Sequence, residues 1–406
     1  MGLDKLNELC REQLAELDRA GTAKRVEAII TGVIPPCNGK GPRYLLHGCG
    51  NREFLRFNSN SYLGLGLHPQ VIAAEEEAAR AYGTGPGAVR FISGTYQPHL
   101  ELENRLAGFH GRPAAMIFSA AYSAVMGVLP QLISPATVVL SDELNHNCII
   151  NAIRLARPAV KAVYNHLDIT DLEKKILELK GKGNRLLLVT DGVFSMRGDH
   201  VDLAAVNEVC AKHEHDFGEG IITVVDDSHG IGALGATGRG IEEQSRGRAD
   251  ILIATLGKGL GVNGGYVTAE PPVIDLLREK TPFYVYSNPI TPAEAAAARK
   301  ALEILDSPAG LKLLARLRGL TKRLRAGLIQ AGYEILHGDH PIVPLMIRNT
   351  QKTASLAEKL FENSILATPI NYPVVPKGDE EIRLQVAADH TEADIDQVLA
   401  ALEPAR

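Results

Sequence analysis

The residue with the clearest chemical potential is an amine held between glycines. Lys258 lies in residues 255–261, whose sequence is TLGKGLG, directly after the apolar run 251–254. A lysine that reacts with a carbonyl group needs burial to lower its pKa and a backbone that leaves room for the bound molecule. The end of a buried strand offers both. A surface lysine in a glycine-rich turn fits the segment equally well, so the segment alone leaves both interpretations open.

A carboxylate and an imidazole follow a second apolar run. Asp226 and His229 come after residues 221–225, in the sequence VVDDSHG. In open α/β sheets, ligands bind in the crevice at the carboxyl ends of the strands, which an acid in this position can reach. A carboxylate facing a pyridine nitrogen keeps that nitrogen protonated, and the imidazole could bond the phenolic oxygen of the same ring. A metal site and an ordinary polar strand end are the alternatives, although the sequence lacks further ligands at the spacing of zinc sites.

Two further strand ends carry weaker signals. His146 follows the run 137–140, where an imidazole could stack on an aromatic ligand, although a structural histidine is more common at such a place. Ala121 and Tyr122 follow the run 115–118, where small residues lead from a strand into a helix. The backbone N–H groups at a helix N-terminus bind phosphate, but a tightly packed turn gives the same sequence pattern.

One sheet must position all of these side chains. Seven apolar runs have the length of strands and little alternation of polar and apolar residues, and helical segments separate most of them. The runs are residues 115–118, 137–140, 160–164, 186–190, 221–225, 251–254 and 265–268. Strands of this kind are covered on both faces, and helical crossovers make them parallel. The sequence therefore predicts an α/β fold, with a three-layer domain around a mainly parallel seven-stranded sheet.

The pattern changes after residue 290. Residues 293–330 predict a long helix or a helix pair broken near Ser307. Strands predicted at 341–347, 365–370 and 382–386 and two more helices follow, an order typical of a smaller α+β domain. We expect an N-terminal helix and arm over residues 1–55, a large domain over 56–290 and a small C-terminal α+β domain over 291–406.

The charge balance and the cysteine content limit the kinds of molecule that this protein is expected to bind and the compartment in which it is expected to occur. The 406 residues include 43 basic and 48 acidic side chains, and the net charge of -5 gives no reason to expect nucleic acid or a membrane as a partner. The five cysteines have no C-x-x-C spacing, which favours a reducing compartment over a disulfide framework. No segment has the apolar length of a signal peptide or a membrane span, and no nucleotide-binding glycine motif occurs in its proper context. We expect a cytoplasmic protein without a metal site.

Taken together, these segments resemble the α-oxoamine synthases, a branch of the fold-type-I pyridoxal-phosphate enzymes. The resemblance runs from about residue 50 to the C-terminus and rests on motifs that occur in one order. They are residues 60–65, 89–95, 141–146, 190–196, 226–230, 255–261, 286–288 and 372–378. It implies pyridoxal 5′-phosphate as cofactor, an amino acid and an acyl-CoA as substrates, and a homodimer with its active sites at the subunit interface.

The resemblance also implies roles around the cofactor ring. Lys258 forms a Schiff base with the cofactor and later moves protons, and Asp226 pairs with the pyridinium nitrogen. His229 and Ser195 lie by the phenolic oxygen, while His146 stacks on the ring and contacts the acyl carbonyl.

Five other positions are implied to bind the cofactor phosphate. Ala121, Tyr122 and Thr255 bind it within one subunit. Ser287 and Asn288 reach the phosphate of the neighbouring subunit's cofactor, which is why the resemblance implies an obligate dimer.

Two positions are implied to contact substrate. Arg383 takes the amino-acid carboxylate, for which a planar guanidinium is well suited, and Asn60 is a second candidate. Residues 89–95, 190–196 and 372–378 are most similar to the family members that join glycine to acetyl-CoA. Departures at Val125, 214–220 and 385–388 leave the acyl-chain preference open.

Three alternatives remain beside this reaction. One is another synthase of the family that uses a different amino acid or a longer acyl thioester. The second is an aminotransferase on the same fold, and the third is a non-catalytic partner subunit. The joint presence of the lysine, the aspartate and the two histidines argues against the third.

Overall fold

The computed structural model describes residues 2–19, 23, 25, 27–37, 39–372 and 374–403. Pro373, part of the motif at residues 372–378, lies outside the described residues. Among the helices of the described part, none combines the length and the apolar content that a membrane crossing requires.

The N-terminal elements lead into the large domain. They are α1 (Gly2–Arg19), β1 (Ile30–Ile34), β2 (Arg43–Leu46), β3 (Leu55–Arg56), α2 (Pro69–Tyr82), a π-helical turn (Arg90–Gly94) and α3 (Gln97–Phe109). β1 and β2 pair antiparallel, which the sequence did not predict. Helix α1, described over its whole length, buries none of its side chains.

Seven strands form the large sheet. They are β4 (Ala114–Phe118), β5 (Thr137–Asp142), β6 (Val160–Tyr164), β7 (Arg185–Asp191), β8 (Ile221–Asp226), β9 (Ile251–Thr255) and β10 (Gly265–Ala269). Their order is β4-β10-β9-β8-β7-β5-β6; β10 runs antiparallel to both neighbours and the other pairs are parallel. The predicted mainly parallel sheet is confirmed. β6 lies at the edge, so its first four side chains alternate between half-buried and exposed instead of being covered on both faces.

Helices cover both faces of this sheet. They are α4 (Ala121–Leu132), α5 (Asn147–Ala156), α6 (Ile169–Leu179), α7 (Leu203–His213), α8 (Ile241–Ser245), α9 (Pro271–Lys280) and α10 (Pro282–Val285). Val139 and Leu187 pack under α4, α5 and α9, whereas their neighbours Val138 and Leu186 pack under α6 and α7. Successive residues of one strand therefore enter different layers, and the predicted three-layer α/β architecture is confirmed.

The C-terminal elements build a smaller sheet. They are α11 (Pro292–Leu305), α12 (Pro308–Gln330), β11 (Glu334–Ile335), β12 (Ile342–Met346), α13 (Thr350–Glu362), β13 (Ile365–Leu366), β14 (Thr368–Ile370), β15 (Glu381–Gln385) and α14 (Glu392–Leu402). Strands β11, β12, β15 and β14 form an antiparallel sheet in that order. The helix pair breaks at Ser307, whose side chain accepts from the N–H of Ala309 and so begins α12. The single strand predicted over 365–370 is wrong, because β13 pairs with β3 and β14 with β15.

The small sheet is oriented by the core that it shares with the helices. Ile382 and Leu384 of β15 pack in one cluster with Leu106 of α3 and Leu302 of α11. Since side chains alternate along a strand, Arg383 points to the other face, where it meets the segment that follows β7. The boundary between residues 290 and 291 stays a prediction.

Candidate active site

A cavity of about 310 Å³ opens at the carboxyl edge of the large sheet, by the ends of β7, β8 and β9. Most of the predicted cofactor residues line it: Ala121, Tyr122, His146, Ser195, Asp226, His229, Thr255 and Lys258. The rest of the wall consists of Ala120, Cys148, Asp191, Val193 and Ser228. Segments far apart in the sequence therefore meet at the edge where α/β folds bind ligands.

Lys258 lies in a tight loop after β9. The N–H of Gly261 donates to the carbonyl oxygen of Lys258 at 3.0 Å. A Cβ atom at Gly259 would lie 2.4 Å from the carbonyl oxygen of Ile231, so the loop needs glycine there. Burial lowers the pKa of the Lys258 amine to about 8, although the charge of Asp226 opposes the shift. A sizeable share of this amine is neutral, and hence nucleophilic, near physiological pH.

Two carboxylates lie side by side at the ends of β7 and β8. Asp191 and Asp226 are opposite each other in the strand register. Burial, followed by the charge of Asp226, raises the pKa of the Asp191 carboxyl well above its usual range. Asp191 Oδ2 accepts from the backbone N–H of His146 at 2.7 Å, and Asp226 Oδ1 accepts from the N–H of Ser228 at 3.0 Å. Backbone donors thus orient both acids at the cavity.

His146 caps the N-terminus of α5. Its Nδ1 accepts from the backbone N–H of Cys148 at 3.3 Å, and the Cys148 Sγ lies 2.9 Å from the same nitrogen. The His146 ring lies 6.4 Å from the Tyr122 ring, at an interplanar angle of 80°. Burial and the charge of Lys258 lower the pKa of His146, while Asp226 opposes them. The imidazole is therefore neutral at pH 7.

His229 is held by two other buried side chains. Its Nδ1 lies 2.6 Å from the Oη of Tyr62. The Nε2 of His340 donates to the carbonyl oxygen of His229 at 2.8 Å. Burial, then the charges of Lys258 and Arg383, lower the pKa of His229 well below its usual range. Burial also raises the pKa of the Tyr62 hydroxyl, so both partners of the short bond are neutral.

The N-terminus of α4 supplies the part of the wall suited to an anion. The helix begins at Ala121 without a side-chain cap, so the N–H groups of its first turn, including that of Tyr122, have no partner inside the helix. A Cβ atom at Gly265 would lie 2.3 Å from Ala121 N, so glycine lets β10 approach this turn. Thr255 Oγ1 accepts from the N–H of Gly257 at 3.0 Å and lies at the cavity wall. Such a helix terminus binds phosphate.

The donor set of the cavity fits pyridoxal phosphate. It contains an amine for the aldehyde, a carboxylate for the ring nitrogen, two imidazoles and a helix N-terminus for the phosphate. In addition, the Oγ of Ser228 is buried in the wall and has no hydrogen-bond partner among the described residues. The wall is thus matched to a polar, anionic ligand.

Arg383 and Asn60 lie next to Ser195, beside the lining of the cavity. The Arg383 Nε donates to Ser195 O at 2.6 Å, and its Nη2 donates to Asn60 Oδ1 at 3.3 Å. Ser287 is half-buried and Asn288 is exposed, and neither belongs to the residues that line the cavity. Any role of these two residues at a cofactor depends on a second subunit.

A second pocket of about 410 Å³ lies on the other side of Ser195. Phe194, Met196 and Met346 contribute apolar surface to it, and Glu381 of β15 contributes a carboxyl group. Burial raises the pKa of Glu381 to about 8, and its Oε1 has no hydrogen-bond partner within the described part of the chain. Mostly apolar space thus adjoins the cavity.

Several residues at the site were not assigned a role from the sequence, among them Tyr62, Cys148, Asp191 and His340. Tyr62 and Asp191 lie inside the motifs at 60–65 and 190–196, which is the signal that could have singled them out. His340 follows a polar loop and reaches His229 only through the folding of the small sheet, so no local pattern marks it.

Comparisons with known proteins agree with this geometry. Residues 52–402 match the model of the family described as aminotransferase class I and II. The chain is 40% identical over 365 residues to 8-amino-7-oxononanoate synthase of Geobacter sulfurreducens, covering 89% of this chain and 90% of that protein. It is 37% identical over 402 residues to mitochondrial 2-amino-3-ketobutyrate coenzyme A ligase of Homo sapiens, covering 98% and 92%. A solved chain of SPT that holds pyridoxal phosphate superposes with a TM-score of 0.87 at 25% identity, covering 99% and 97%.

Proposed function

Because the chain belongs to the aminotransferase class I and II family and is an α-oxoamine synthase that uses pyridoxal phosphate, we propose that it joins glycine to acetyl-CoA. The products are 2-amino-3-oxobutyrate and CoA, as in a glycine C-acetyltransferase. The observation that carries the proposal is the meeting of Lys258, Asp226 and His146 at one cavity, with Arg383 beside it. The likeness to 2-amino-3-ketobutyrate coenzyme A ligase over 98% of the chain supports the choice of substrates.

A second candidate has equal support from relatives. The likeness to 8-amino-7-oxononanoate synthase reaches 40% identity, and the solved SPT chain has a similar shape. Under this alternative the chain makes 8-amino-7-oxononanoate, or acts like a serine palmitoyltransferase on a longer acyl thioester. The mostly apolar pocket beyond Ser195 offers room for such a chain.

The cofactor site is proposed to work as follows. Lys258 would hold the cofactor through its amine, and Asp226 would be the partner of the pyridine nitrogen. When bound, pyridoxal phosphate supplies an electron sink for charge that develops on the substrate α-carbon. The α4 N-terminus, at Ala121 and Tyr122, and the Thr255 hydroxyl bind the phosphate group.

Arg383, Asn60 and Lys258 are proposed to bind the amino acid and to move its proton. Arg383 binds the glycine carboxylate, with Asn60 as a further contact, because a guanidinium matches a carboxylate in shape and charge. The Lys258 amine, whose pKa is about 8, would take the α-proton of glycine, which is acidic enough for this transfer only when the electron sink is in place. A carbon–carbon bond then forms between that α-carbon and the thioester carbonyl of acetyl-CoA, and CoA leaves as the thiolate.

The two imidazoles and a hydroxyl are proposed to orient these groups. His146 would lie against the cofactor ring and would donate to the acyl carbonyl oxygen, where negative charge develops. His229 and Ser195 would hold the phenolic oxygen of the ring.

A homodimer is proposed because the chain presents an uncovered apolar surface beside Ser287 and Asn288. Phe91 and Ile92 are each 68% exposed, and Tyr286 is 80% exposed. The turn that carries Phe91 and Ile92 contacts α10, which leads into Tyr286. Burying such a patch in a subunit interface would bring Ser287 and Asn288 towards a partner's phosphate. Sedimentation of the holoenzyme should give twice the chain mass, and a monomer with full activity would contradict the dimer.

A substrate grid tests the choice between the candidates. Glycine, alanine and serine are each paired with acetyl-CoA, a dicarboxylate-derived acyl-CoA and palmitoyl-CoA, and the released thiol is measured. We expect the largest kcat/KM for glycine with acetyl-CoA. Faster turnover of alanine or serine with a longer thioester would replace the proposal by the second candidate. Amino transfer to a keto acid without any thioester would reject both.

A further inference from the structure

We infer that Tyr62 and the start of α5 fix both active-site imidazoles in one tautomer, with the proton on Nε2, so that His229 and His146 each present an N–H donor to the cavity. Tyr62 is thereby a positioning residue that acts through His229. The inference rests on the proposed function for what the two donors do, but the tautomers themselves can be measured without any substrate.

The tautomer of His146 follows from its helix cap. Its Nδ1 lies 3.3 Å from the backbone nitrogen of Cys148, and a backbone N–H can only donate. Nδ1 must therefore carry a lone pair. The Cys148 Sγ lies 2.9 Å from the same atom and 4.0 Å from Asp226 Oδ2. Burial raises the pKa of that thiol, so it stays protonated and donates to Nδ1, the nearer of the two acceptors. A neutral His146 then carries its proton on Nε2.

The tautomer of His229 follows from competition for the Tyr62 proton. The Tyr62 Oη lies 2.6 Å from His229 Nδ1 but 3.4 Å from Asn60 Oδ1. Asn60 Oδ1 already accepts from Arg383 Nη2 at 3.3 Å and faces Gln385 Nε2 at 3.4 Å. These two N–H donors occupy both lone pairs of Asn60 Oδ1, so the Tyr62 hydroxyl donates instead to His229 Nδ1, which is also the nearer acceptor. The proton of a neutral His229 is then on Nε2.

Neither ring is expected to carry two protons. Both histidines share their cavity with the amine of Lys258, and both are largely removed from water. Burial makes a second proton costly on either ring, and the charge of Asp226, which favours that proton at His146, does not outweigh the cost. Each ring therefore keeps one proton, and the Nδ1 contacts decide where it lies.

This arrangement divides the acid and base work of the site. Nε2–H groups stabilise negative charge on a phenolic or carbonyl oxygen, but they cannot accept a proton while Nδ1 is already bonded to a donor. Among the nitrogen bases that line the described cavity, the neutral amine of Lys258 is then the one left to accept the α-proton. The histidines act as donors throughout.

The direct test is nitrogen NMR of the enzyme labelled with 15N-histidine and freed of cofactor. Long-range couplings to the ring protons distinguish a protonated ring nitrogen from a bare one. His146 and His229 are assigned with the variants His146→Asn and His229→Asn. We expect Nε2–H in both rings, and a proton on Nδ1 of either ring in the wild-type enzyme would overturn the inference for that ring.

Tyr62→Phe tests the cause, because it removes only the hydroxyl. We expect His229 to become a mixture of tautomers and His146 to keep its own. Tyr266→Phe is the matched control, since Tyr266 Oη also lies 2.9 Å from a buried histidine, His110 Nε2, outside the cavity. It should alter the His110 signals alone. Unchanged His229 signals in Tyr62→Phe would contradict the assignment of Tyr62.

The holoenzyme gives a second readout. Loss of a fixed donor at the phenolic oxygen should shift the pH dependence of the visible cofactor band in Tyr62→Phe but not in Tyr266→Phe. In the proposed reaction, kcat should fall roughly tenfold, the scale of one well-placed hydrogen bond, with the KM for the amino acid nearly unchanged. An equal loss in both variants would mean that the hydroxyl has only a structural role. A failed substrate assignment would leave the NMR result untouched.

Discussion

Among the described residues, a hydrogen-bonded pair of a buried tyrosine and a buried histidine lies at the cavity, and another such pair lies in the core. The Tyr62 Oη lies 2.6 Å from His229 Nδ1, and the Tyr266 Oη lies 2.9 Å from His110 Nε2. Burial lowers the pKa of both histidines, that of His110 to about 3. By burial, hydrogen bonding and pKa the pairs are alike. They differ because His229 adjoins a cavity together with Lys258, whereas His110 does not.

Two consecutive aspartates repeat the contrast. Asp226 lines the cavity, whereas Asp227 is 0% exposed, and its Oδ2 accepts from the N–H of Ile241 at 2.7 Å. Burial raises the pKa of Asp227 well above its usual range, which by itself would suggest a functional acid. A shifted pKa alone therefore does not identify a functional group in this molecule. The group must also line the cavity that contains Lys258.

The largest effect on activity should come from Lys258→Ala, which changes a residue of the cavity and leaves the buried core pair intact. Removing the amine eliminates both the cofactor attachment and the base, so kcat/KM should fall by about 10⁴-fold or more. Thiol release in the substrate assay measures it. Lys280→Ala, at the exposed end of α9, is the matched control and should retain full activity. Substantial turnover in Lys258→Ala would contradict the role of the lysine.

Variants of Asp226 and Asp227 should differ in whether they lose activity or stability. Asp226→Asn should lower kcat by roughly 10²-fold or more while the melting temperature changes little, because the ring nitrogen loses its charged partner. Asp227→Ala should instead lower the free energy of unfolding by about 1–3 kcal/mol, because the N–H of Ile241 loses its acceptor. Urea titration and turnover of both variants check the pair. If Asp227→Ala lost activity without losing stability, the assignment of a purely structural role to Asp227 would be wrong.

Arg383→Lys probes the edge of the cavity. An ammonium cannot reproduce the bidentate match to a carboxylate, so the KM for the amino acid should rise roughly tenfold or more, with a smaller change in kcat. Arg323→Lys is the control, because Arg323 pairs with Asp396 on the surface. Initial rates over a range of glycine concentrations give the result. A selective rise in the KM for the thioester would reassign Arg383.

The smallest effect is a pH dependence set by Lys258. Burial lowers its pKa to about 8, and the neutral amine is the reactive form. The rate of cofactor uptake by the cofactor-free enzyme should therefore rise with pH, by about tenfold between pH 7 and 9, and level off above pH 9. Stopped-flow absorbance follows the uptake. A rate of cofactor uptake that falls as the pH rises from 7 to 9 would contradict the predicted direction.

The sequence predicts the large sheet better than the small one, for a physical reason. The runs that became β7 and β9 are covered on both faces, so most of their residues are apolar and the runs are easy to recognise. The segment 365–370 is apolar too, but its two halves pair with different strands, β3 and β15. The tertiary fold determines these pairings, so the local sequence does not predict them. For the same reason, β1 and β2 were missed.

The site shows the same limit. Lys258, Asp226 and His146 lie at strand ends or after them, and the motifs around them are specific, so the sequence singled them out as candidates. Tyr62 lies 167 positions from His229 and His340 lies 111 positions away, and folding alone brings them together. Residues that act directly at a cavity leave local signatures, whereas residues that position them need not.

The most direct measurement is chemical trapping of the cofactor on the protein. Purified holoenzyme is treated with borohydride, digested and analysed by mass spectrometry. The account predicts one pyridoxyl-phosphate adduct, on the peptide that carries Lys258. An adduct on another lysine, or a cofactor that remains extractable after reduction, would contradict it.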